Sequence, residues 1–247
     1  MSKSFAASSG TLSVLEDIDL SVADGELLVI VGHSGCGKST LLKNIAGFEE
    51  PTKGEILLDG KKITGPGPDR TMIFQEHRLF PWMTIEENVA FGLHDRPKAE
   101  RGDLVRSYLS LVQLEGFEES YPHELSGGMS QHAAIARALA TKPEVLLLDE
   151  PFGALDALTK MGLQDELLSI RDREKTTMVM VTHDIEEAVY LADRIVVMTE
   201  RPGKIAEIVP IELGRPRDRG SADFAWYQKR ILSHFVKPKE KQLDYVI

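Results

Sequence analysis

The chain has 247 residues, enough for one large domain or two small lobes around a shared core. Apolar residues make up 42% and charged residues 28%, which is ordinary for a globular protein in water. A formal net charge of −10 argues against nucleic acid as the main partner.

No apolar run approaches the ~20 residues that cross a bilayer, and the start of the chain lacks the apolar core of a signal peptide. We therefore expect a cytoplasmic protein. Its single cysteine, Cys36, cannot form an internal disulfide, as expected in a reducing compartment.

Short apolar strands alternate with helix-like stretches along most of the chain. This pattern is typical of an α/β domain built around a largely parallel sheet. The unbroken apolar run in Val145–Leu148 suits a central strand that is covered on both faces. Strands are predicted at Leu27–Val31, Glu55–Leu58, Thr71–Phe74, Val145–Leu148, Thr177–Val181 and Arg194–Met198.

The pattern changes between about residues 81 and 141, where no strand-like run occurs and apolar residues recur at near-helical spacing. This predicts a helical lobe inserted into the α/β core. A short amphipathic stretch at Ile205–Leu213 is followed by a break at Gly214–Arg217. We therefore predict a single domain over residues 1–213 and a C-terminal extension over 214–247. The charged run Lys237–Lys241 is expected to be a solvated tail.

A glycine-rich segment follows the first predicted strand and precedes a predicted helix. It fits the phosphate-loop pattern G-x-x-x-x-G-K-[ST] in the context that this motif requires. Its backbone N–H groups and the helix N-terminus can cradle phosphates, Lys38 can reach the β- and γ-phosphates, and the Ser39 hydroxyl can bind Mg²⁺. A glycine-rich turn without a ligand is the alternative. The predicted nucleotide-binding residues are Gly32, His33, Ser34, Gly35, Cys36, Gly37, Lys38, Ser39 and Thr40.

Two carboxylates end the predicted central strand. Asp149 is placed to hold Mg²⁺ directly or through water, and Glu150 is the candidate general base that polarises the attacking water. The alternative is a strand end that is acidic by chance. Together with the phosphate loop upstream, the pair favours hydrolysis of a nucleoside triphosphate.

The segment Leu125–Gln131 predicts a second anion site. Ser126 is a good helix N-cap, Gly127 and Gly128 permit close backbone approach, and an alanine-rich helix follows. Two such sites with one γ-phosphate to hold suggest that each serves a different nucleotide. A glycine turn before a packed helix is the alternative.

Leu125–Gln131 resembles the LSGGQ-type signature of ATP-binding cassette (ABC) ATPases, and about residues 3–213 resemble an ABC transporter nucleotide-binding subunit. The resemblance implies an α/β fold: a P-loop NTPase (ABC ATPase) core with a mostly parallel sheet, an antiparallel β part and an inserted helical lobe. It also implies a head-to-tail homodimer that sandwiches two ATP molecules with Mg²⁺. Ser126, Gly127 and Gly128 of one subunit would contact the γ-phosphate held by the other.

Further residues match family motifs. Gln75 resembles the Q-loop glutamine that contacts Mg²⁺ and the attacking water, and Asp156, in Ala154-Leu155-Asp156, resembles the D-loop aspartate at the dimer interface. His183 resembles the switch histidine, although a histidine at a strand end is usually structural. Phe5 matches the aromatic position that stacks on adenine. The resemblance thus adds catalytic roles for Gln75 and His183 beside Lys38 and Glu150. Ser130 and His132 depart from the basic residues that the family commonly carries after its signature, which puts the stability or coupling of that helix in question.

Other segments resemble the nitrate/sulfonate/taurine importer subfamily: Gly65–Arg70, Pro81-Trp82, Arg201–Ile205 and Arg215–Arg217. This implies an ATPase that energises uptake of a small nitrate-, sulfonate-, taurine- or bicarbonate-like solute through a transmembrane permease. An extracytoplasmic solute-binding protein would be an indirect partner, and the subunit would be peripheral on the cytoplasmic face of the inner membrane.

Three alternatives remain open from the residues. Phe80 and Trp82 can form a docking surface for a partner or can simply pack the junction of the two lobes. A soluble ABC mechanoprotein would need a second cassette or a long coiled coil, and neither is present in the sequence. A small-molecule P-loop kinase would need no signature motif.

Overall fold

The computed structural model describes residues 1–7, 10–94, 96–153 and 155–236. The strands in these ranges are β1 Lys3–Ala7, β2 Gly10–Leu15, β3 Leu27–Val31, β4 Leu57–Leu58, β5 Lys61–Lys62, β6 Arg70–Ile73, β7 Val145–Asp149, β8 Thr177–Thr182, β9 Arg194–Met198 and β10 Ile205–Pro210. The α-helices are α1 Lys38–Ile45, α2 Ile85–Ala90, α3 Lys98–Leu111, α4 Gly127–Ala140, α5 Ala157–Glu174, α6 Ile185–Leu191 and α7 Ala222–Leu232.

The main sheet has six strands in the order β10-β9-β3-β8-β7-β6. The five strands from β9 to β6 are parallel, and β10 pairs with β9 in the antiparallel direction. All five residues of β3 and all six of β8 are buried, as expected for central strands covered on both faces. The predicted α/β fold with a mostly parallel sheet is confirmed.

Two apolar layers cover the sheet. Val29 and Val31 face the layer that also contains residues of α2 to α6, whereas Leu28 and Ile30 face the layer formed with α1. This split follows from the two-residue alternation of side chains along a strand. A strand that supplies both layers must be apolar at every position, which explains its unbroken hydrophobic run.

The predicted strand Glu55–Leu58 was too long. Only Leu57–Leu58 is extended, in a small hairpin with Lys61–Lys62, and Leu57 is 52% exposed. Leu58 packs against the apolar layer formed with α1, and so few packed residues have little to hold the run in a longer strand. Two other sheet elements had no strand prediction: the β1–β2 hairpin, in which β2 is exposed at Gly10–Leu12 and buried at Val14 and Leu15, and β10, which lies within the predicted amphipathic stretch Ile205–Leu213.

Three helices, α2, α3 and α4, lie between β6 and β7 and pack against one another. Their buried side chains, among them Val89, Leu109 and Leu139, belong to the same apolar cluster as one face of the sheet. The predicted helical insertion is therefore present, and it shares a core with the α/β part. The predicted division of the chain at residue 213 stays a prediction, and Lys237–Lys241 lies outside the described residues.

Asn88 fixes the loop that enters this helical part. Its side chain is fully buried, its Oδ1 accepts a hydrogen bond from the Phe80 N–H, and its Nδ2 donates to the carbonyls of Phe80, Met83 and Thr84. Thr84 and Glu87 add a reciprocal N-terminal cap to α2. These bonds hold the segment that carries Trp82 in one conformation.

In the described part of the chain, no helix is long and apolar enough to cross a membrane.

Candidate active site

The phosphate loop connects β3 to α1 at the carboxyl edge of the sheet. Gly35 and Gly37 have φ values of 76° and 112°, in the left-handed region that favours glycine. A Cβ on Gly37 would lie 2.7 Å from Leu15 Cδ2, so packing also requires glycine there. The buried Lys38 donates from Nζ to the carbonyls of Gly32 at 2.8 Å and His33 at 3.1 Å. The loop is therefore curled around its own lysine.

Ser39 and Asp149 meet beside the loop. The Ser39 hydroxyl donates to Asp149 Oδ1 at 2.8 Å, which joins the start of α1 to the end of β7. Burial raises the pKa of the Asp149 carboxyl above its ordinary value, and the hydrogen bond from Ser39 offsets part of this effect. A hydroxyl and a carboxylate are hard oxygen ligands of the kind that Mg²⁺ prefers.

Glu150 and His183 also meet at this edge. His183 Nδ1 lies 3.0 Å from Glu150 Oε2, with the imidazole largely exposed and the carboxylate mostly covered. Glu150 has a φ of 48°, a strained conformation for a residue with a side chain. Its N–H bonds to the Val181 carbonyl of β8. The neighbouring strand thus holds Glu150 in this conformation, and its carboxylate turns toward the histidine.

The segment after His183 is tied down by an ion-pair network. Asp184 caps α6 by accepting from the Glu187 N–H, and Lys160 of α5 lies 2.5 Å from Asp184 and 3.2 Å from Glu187. Thr182 completes the network through its hydroxyl, which donates to Glu187 at 2.9 Å. The Asp184 cap lies within one helical turn, whereas Lys160 is 24 residues away from Asp184 and no local pattern in the sequence indicates its part in the network.

Gln75 approaches the same centre from β6. A Cβ built on Gly153 would lie 3.7 Å from both Gln75 Nε2 and Glu150 Oε2, so the amide and the carboxylate flank one glycine. The structure thus brings together Lys38, Ser39, Gln75, Asp149, Glu150 and His183 around the phosphate loop. Other loop residues differ in exposure: His33, Ser34 and Gly35 are exposed, Cys36 is buried, and Thr40 is half-buried.

The predicted signature residues lie on a different part of the molecule. Ser126 caps α4 by accepting from the Met129 N–H at 3.3 Å, and a Cβ on Gly128 would lie 2.8 Å from Thr159 of α5. Asp156 caps α5, and its carboxylate accepts from Thr159, which lowers its pKa. The signature and the D-loop aspartate therefore face each other across the α4–α5 contact, and Ala154 lies outside the described residues.

Phe5 lies on β1, where it pairs with Leu12 of β2, and the Lys3 ammonium is 4.8 Å from the centre of its ring. Its role in adenine stacking stays a prediction. His132, one of the departures from the family pattern, lies with Nε2 2.8 Å from Glu166 Oε2 of α5, and Ser130 is buried. At a position where the family commonly carries a basic residue, this chain therefore has a histidine whose contact with Glu166 connects α4 to α5.

A family model described as ABC transporter matches residues 15–153. The chain belongs to the ABC transporter family. The aliphatic sulfonates import ATP-binding protein SsuB of Bacillus cereus is 52% identical over 235 residues, which cover 95% of this chain and 93% of that protein. These findings confirm the predicted family and exclude the small-molecule kinase.

Solved structures of ABC cassettes share the fold. The dimeric structure of the bacterial ABC transporter cassette MJ0796 matches with a TM-score of 0.76 and 31% identity, covering 86% of this chain and 97% of the other. The same cassette in a dimeric post-hydrolysis state with ADP and Pi matches with a TM-score of 0.75 and 30% identity, over the same shares of the two chains. This ABC protein is therefore an ATP-binding and ATP-hydrolysing cassette of a kind that works as a dimer.

Because folding raises the pKa of Asp149 in this ABC cassette, we predict that the ionised carboxylate lowers the stability of the nucleotide-free protein although ATP hydrolysis requires it. A carboxyl whose pKa is raised by folding favours the folded state at low pH, and this contribution is lost as the pH rises through the folded-state pKa. We expect Asp149→Asn to raise the melting temperature of the nucleotide-free protein at pH 7.5, because asparagine cannot ionise and still accepts the Ser39 bond. ATP hydrolysis should fall about 100-fold or more.

Thermal unfolding of the wild type and of Asp149→Asn between pH 5 and 8 measures the change in melting temperature. ATPase assays over a series of magnesium concentrations measure the loss of hydrolysis. The difference in melting temperature should shrink as the pH falls. A variant less stable than the wild type throughout this range would contradict the raised pKa, whereas normal hydrolysis would contradict the proposed role of Asp149.

Proposed function

We propose that the protein is the ATP-hydrolysing subunit of an importer for a small organic anion of the aliphatic sulfonate class. The contact between Glu150 and His183 beside the phosphate loop carries the proposal for the reaction. The proposal for the solute rests on the relatives that are named as aliphatic sulfonate import proteins. An extracytoplasmic solute-binding protein would deliver the sulfonate.

In the proposed reaction, the loop N–H groups and Lys38 bind the phosphates and neutralise their charge. The donor set of Ser39 and Asp149, with Gln75 nearby, fits a magnesium ion, which would neutralise phosphate charge if bound there. No group of three His, Cys, Asp or Glu side chains in the described ranges could hold a metal alone. Mg²⁺ commonly keeps several water ligands, so two protein oxygens beside a bound phosphate group would suit it.

Glu150 acts as the general base for the attacking water. Its carboxylate is placed to accept the water proton, while His183 holds the γ-phosphate and keeps the carboxylate oriented through the 3.0 Å contact. Gln75, on the other side of Gly153, orients the water through its neutral amide. Water attack then breaks the bond between the γ-phosphorus and the β–γ bridging oxygen, and gives ADP and phosphate.

The signature site completes the reaction in trans. Ser126, Gly127 and Gly128 start α4, and their exposed helix N-terminus suits the γ-phosphate held by a second copy. Asp156, which is also exposed, lies beside this site and is suited to the same interface. Two copies arranged head to tail would therefore enclose two ATP molecules.

We expect Glu150→Gln to reduce ATP turnover by about 10²–10⁴-fold, because an amide cannot take up the water proton. ATP binding should persist, and the unhydrolysed nucleotide should hold two copies together. ATPase assays and sedimentation with and without Mg-ATP measure the two effects. The matched control is Glu144→Gln, at the exposed opposite end of the β7 segment, which should change neither. Wild-type turnover in Glu150→Gln would exclude Glu150 as the base.

We propose that the permease docks beside the aromatic loop. Trp82 is 70% exposed and Phe91 53%, and Phe80 packs against both rings. Next to them lies a cavity of about 180 Å³, lined by residues that include His77 and Arg137. An exposed aromatic patch next to a cleft suits the insertion of a short cytoplasmic segment of a membrane protein. Docking there would place the subunit on the cytoplasmic face of the inner membrane.

Trp82→Ala should weaken co-purification with the permease, because it removes the largest exposed ring of the docking surface, while the isolated subunit keeps its affinity for ATP. The control is Trp226→Ala, which changes the second tryptophan of the chain, 53% exposed on α7. Pull-downs of the permease from detergent extracts compare the two variants. Equal recovery with both would place the docking surface elsewhere.

The solute is tested by uptake. Cells without this subunit should fail to take up radiolabelled ethanesulfonate or to grow on it as the sulfur source, and the wild-type gene should restore both, whereas the Glu150→Gln gene should not. A deficiency confined to nitrate or bicarbonate uptake would overturn the proposed solute while leaving the ATPase assignment intact.

A further inference from the structure

The segment Thr199–Lys204, between β9 and β10, lies against the phosphate loop. Arg201 donates from Nε at 3.0 Å and from Nη2 at 2.7 Å to one acceptor, the carbonyl oxygen of Gly35. Both donors of one edge of the guanidinium thus converge on a single loop carbonyl. In the sequence, Arg201 is noted only as part of a segment that resembles the importer subfamily. No local pattern indicates that its side chain contacts a loop 166 residues earlier.

This segment is rigid enough to serve as a support. Thr199 closes the turn on itself, since its N–H donates to the Lys204 carbonyl and its hydroxyl accepts from the Lys204 N–H, both at 2.9 Å. Gly203 joins the turn to the end of β2, by donating to the Val14 carbonyl and accepting from the Glu16 N–H. Arg201 therefore projects from a braced turn.

Gly203 also lies directly against the phosphate loop. A Cβ built there would lie 2.3 Å from the Cys36 carbonyl oxygen, a distance that no side chain tolerates. The turn and the loop are therefore in backbone contact at Cys36 and in side-chain contact at Gly35. Two adjacent loop residues are held from the same side.

Holding the Gly35 carbonyl has a consequence for phosphate binding. In a planar trans peptide the carbonyl and the following N–H point in opposite directions, so the bond from Arg201 orients the Cys36 N–H away from Arg201 and into the loop, where it donates to the His33 carbonyl at 3.3 Å. Lys38 holds the carbonyls of Gly32 and His33 in the same way. With three loop carbonyls bound by cationic side chains, fewer partial negative charges face an anion at the loop.

We propose that Arg201 is a positioning residue for nucleotide binding, which sets the affinity of the phosphate loop by fixing the Gly35–Cys36 peptide. The inference deepens the proposed ATP site and rests on it. Arg201 acts through the backbone of the loop and takes no part in the hydrolytic step.

The first measurement is the affinity for ADP, which is not consumed, by isothermal titration. We expect Arg201→Ala to raise the dissociation constant about tenfold, since a hydrogen bond from a charged donor is lost. Arg201→Lys keeps the positive charge but loses the paired donors. Its dissociation constant for ADP should lie between those of the wild type and Arg201→Ala. In ATPase assays KM should rise more than kcat falls. The control is Arg106→Ala, an exposed arginine paired with Asp103 on α3, which should bind ADP as the wild type does.

The second measurement reads loop order without nucleotide. Cys36 is the only cysteine of the chain and is 1% exposed, so a thiol reagent such as dithionitrobenzoate reports on opening of the loop. The thiol should react several-fold faster in Arg201→Ala than in the wild type or in Arg106→Ala, at equal melting temperature. If Arg201→Ala does not fold, Arg201→Lys must still show weaker ADP binding and a faster thiol reaction.

The outcomes separate the two proposals. ADP affinity within twofold of the wild type in Arg201→Ala, or in Arg201→Lys if only that variant folds, overturns the role of Arg201 and leaves the ATP site standing. An unchanged rate of thiol modification overturns the positioning role as well. Failure of the wild-type protein itself to bind ADP would instead reject the nucleotide site at the phosphate loop.

Discussion

The active site depends on the parallel pairing of four neighbouring strands. In the register of the sheet, Val31 lies beside Thr182, Asp149 beside Val181, and Ile73 beside Leu148. Because parallel strands end at the same edge, the residues that follow them come together, although Gly32 and His183 are 151 positions apart in the chain. The backbone of β8 then bonds to Glu150 and holds its unusual conformation. A slip of one residue in any of these pairs would move a functional side chain to the wrong face.

The site is connected to the proposed dimer interface through α5. This helix is capped by Asp156, next to the signature, and its first turn carries Lys160, which is paired with Asp184 and the buried Glu187 after His183. Burial raises the pKa of Glu187, so this carboxyl depends on Lys160 and Thr182 as partners. The contacts from Asp156 through α5 to the residues around His183 therefore form a continuous path.

A second set of contacts connects the signature helix to the segment after Gln75. Arg137 of α4 donates to the carbonyls of His77 and Arg78, and burial lowers the pKa of its guanidinium, while Gln131 bonds to the His77 ring at 2.7 Å. On its other side α4 is paired with α5 through His132 and Glu166. The helix that presents the signature is thus tied both to the proposed permease surface and to the D-loop helix. The replacement of basic residues by Ser130 and His132 leaves it well connected.

The sequence by itself determined the family, the α/β class, the main strands of the sheet and the helical insertion, because unbroken apolar runs and short glycine motifs encode them locally. It also indicated which side chains follow the strand ends, so that the meeting of Asp149 with Ser39 and of Glu150 with His183 could be expected. Only the tertiary structure decided which distant groups support these residues. Lys160 beside Asp184, Arg137 beside His77, and Arg201 on the Gly35 carbonyl join positions 24 to 166 residues apart. Such contacts depend on how the chain packs, and no local spacing or periodicity records them. The same holds for β1, β2 and β10, whose exposed or mixed residues become strands because each finds a partner strand.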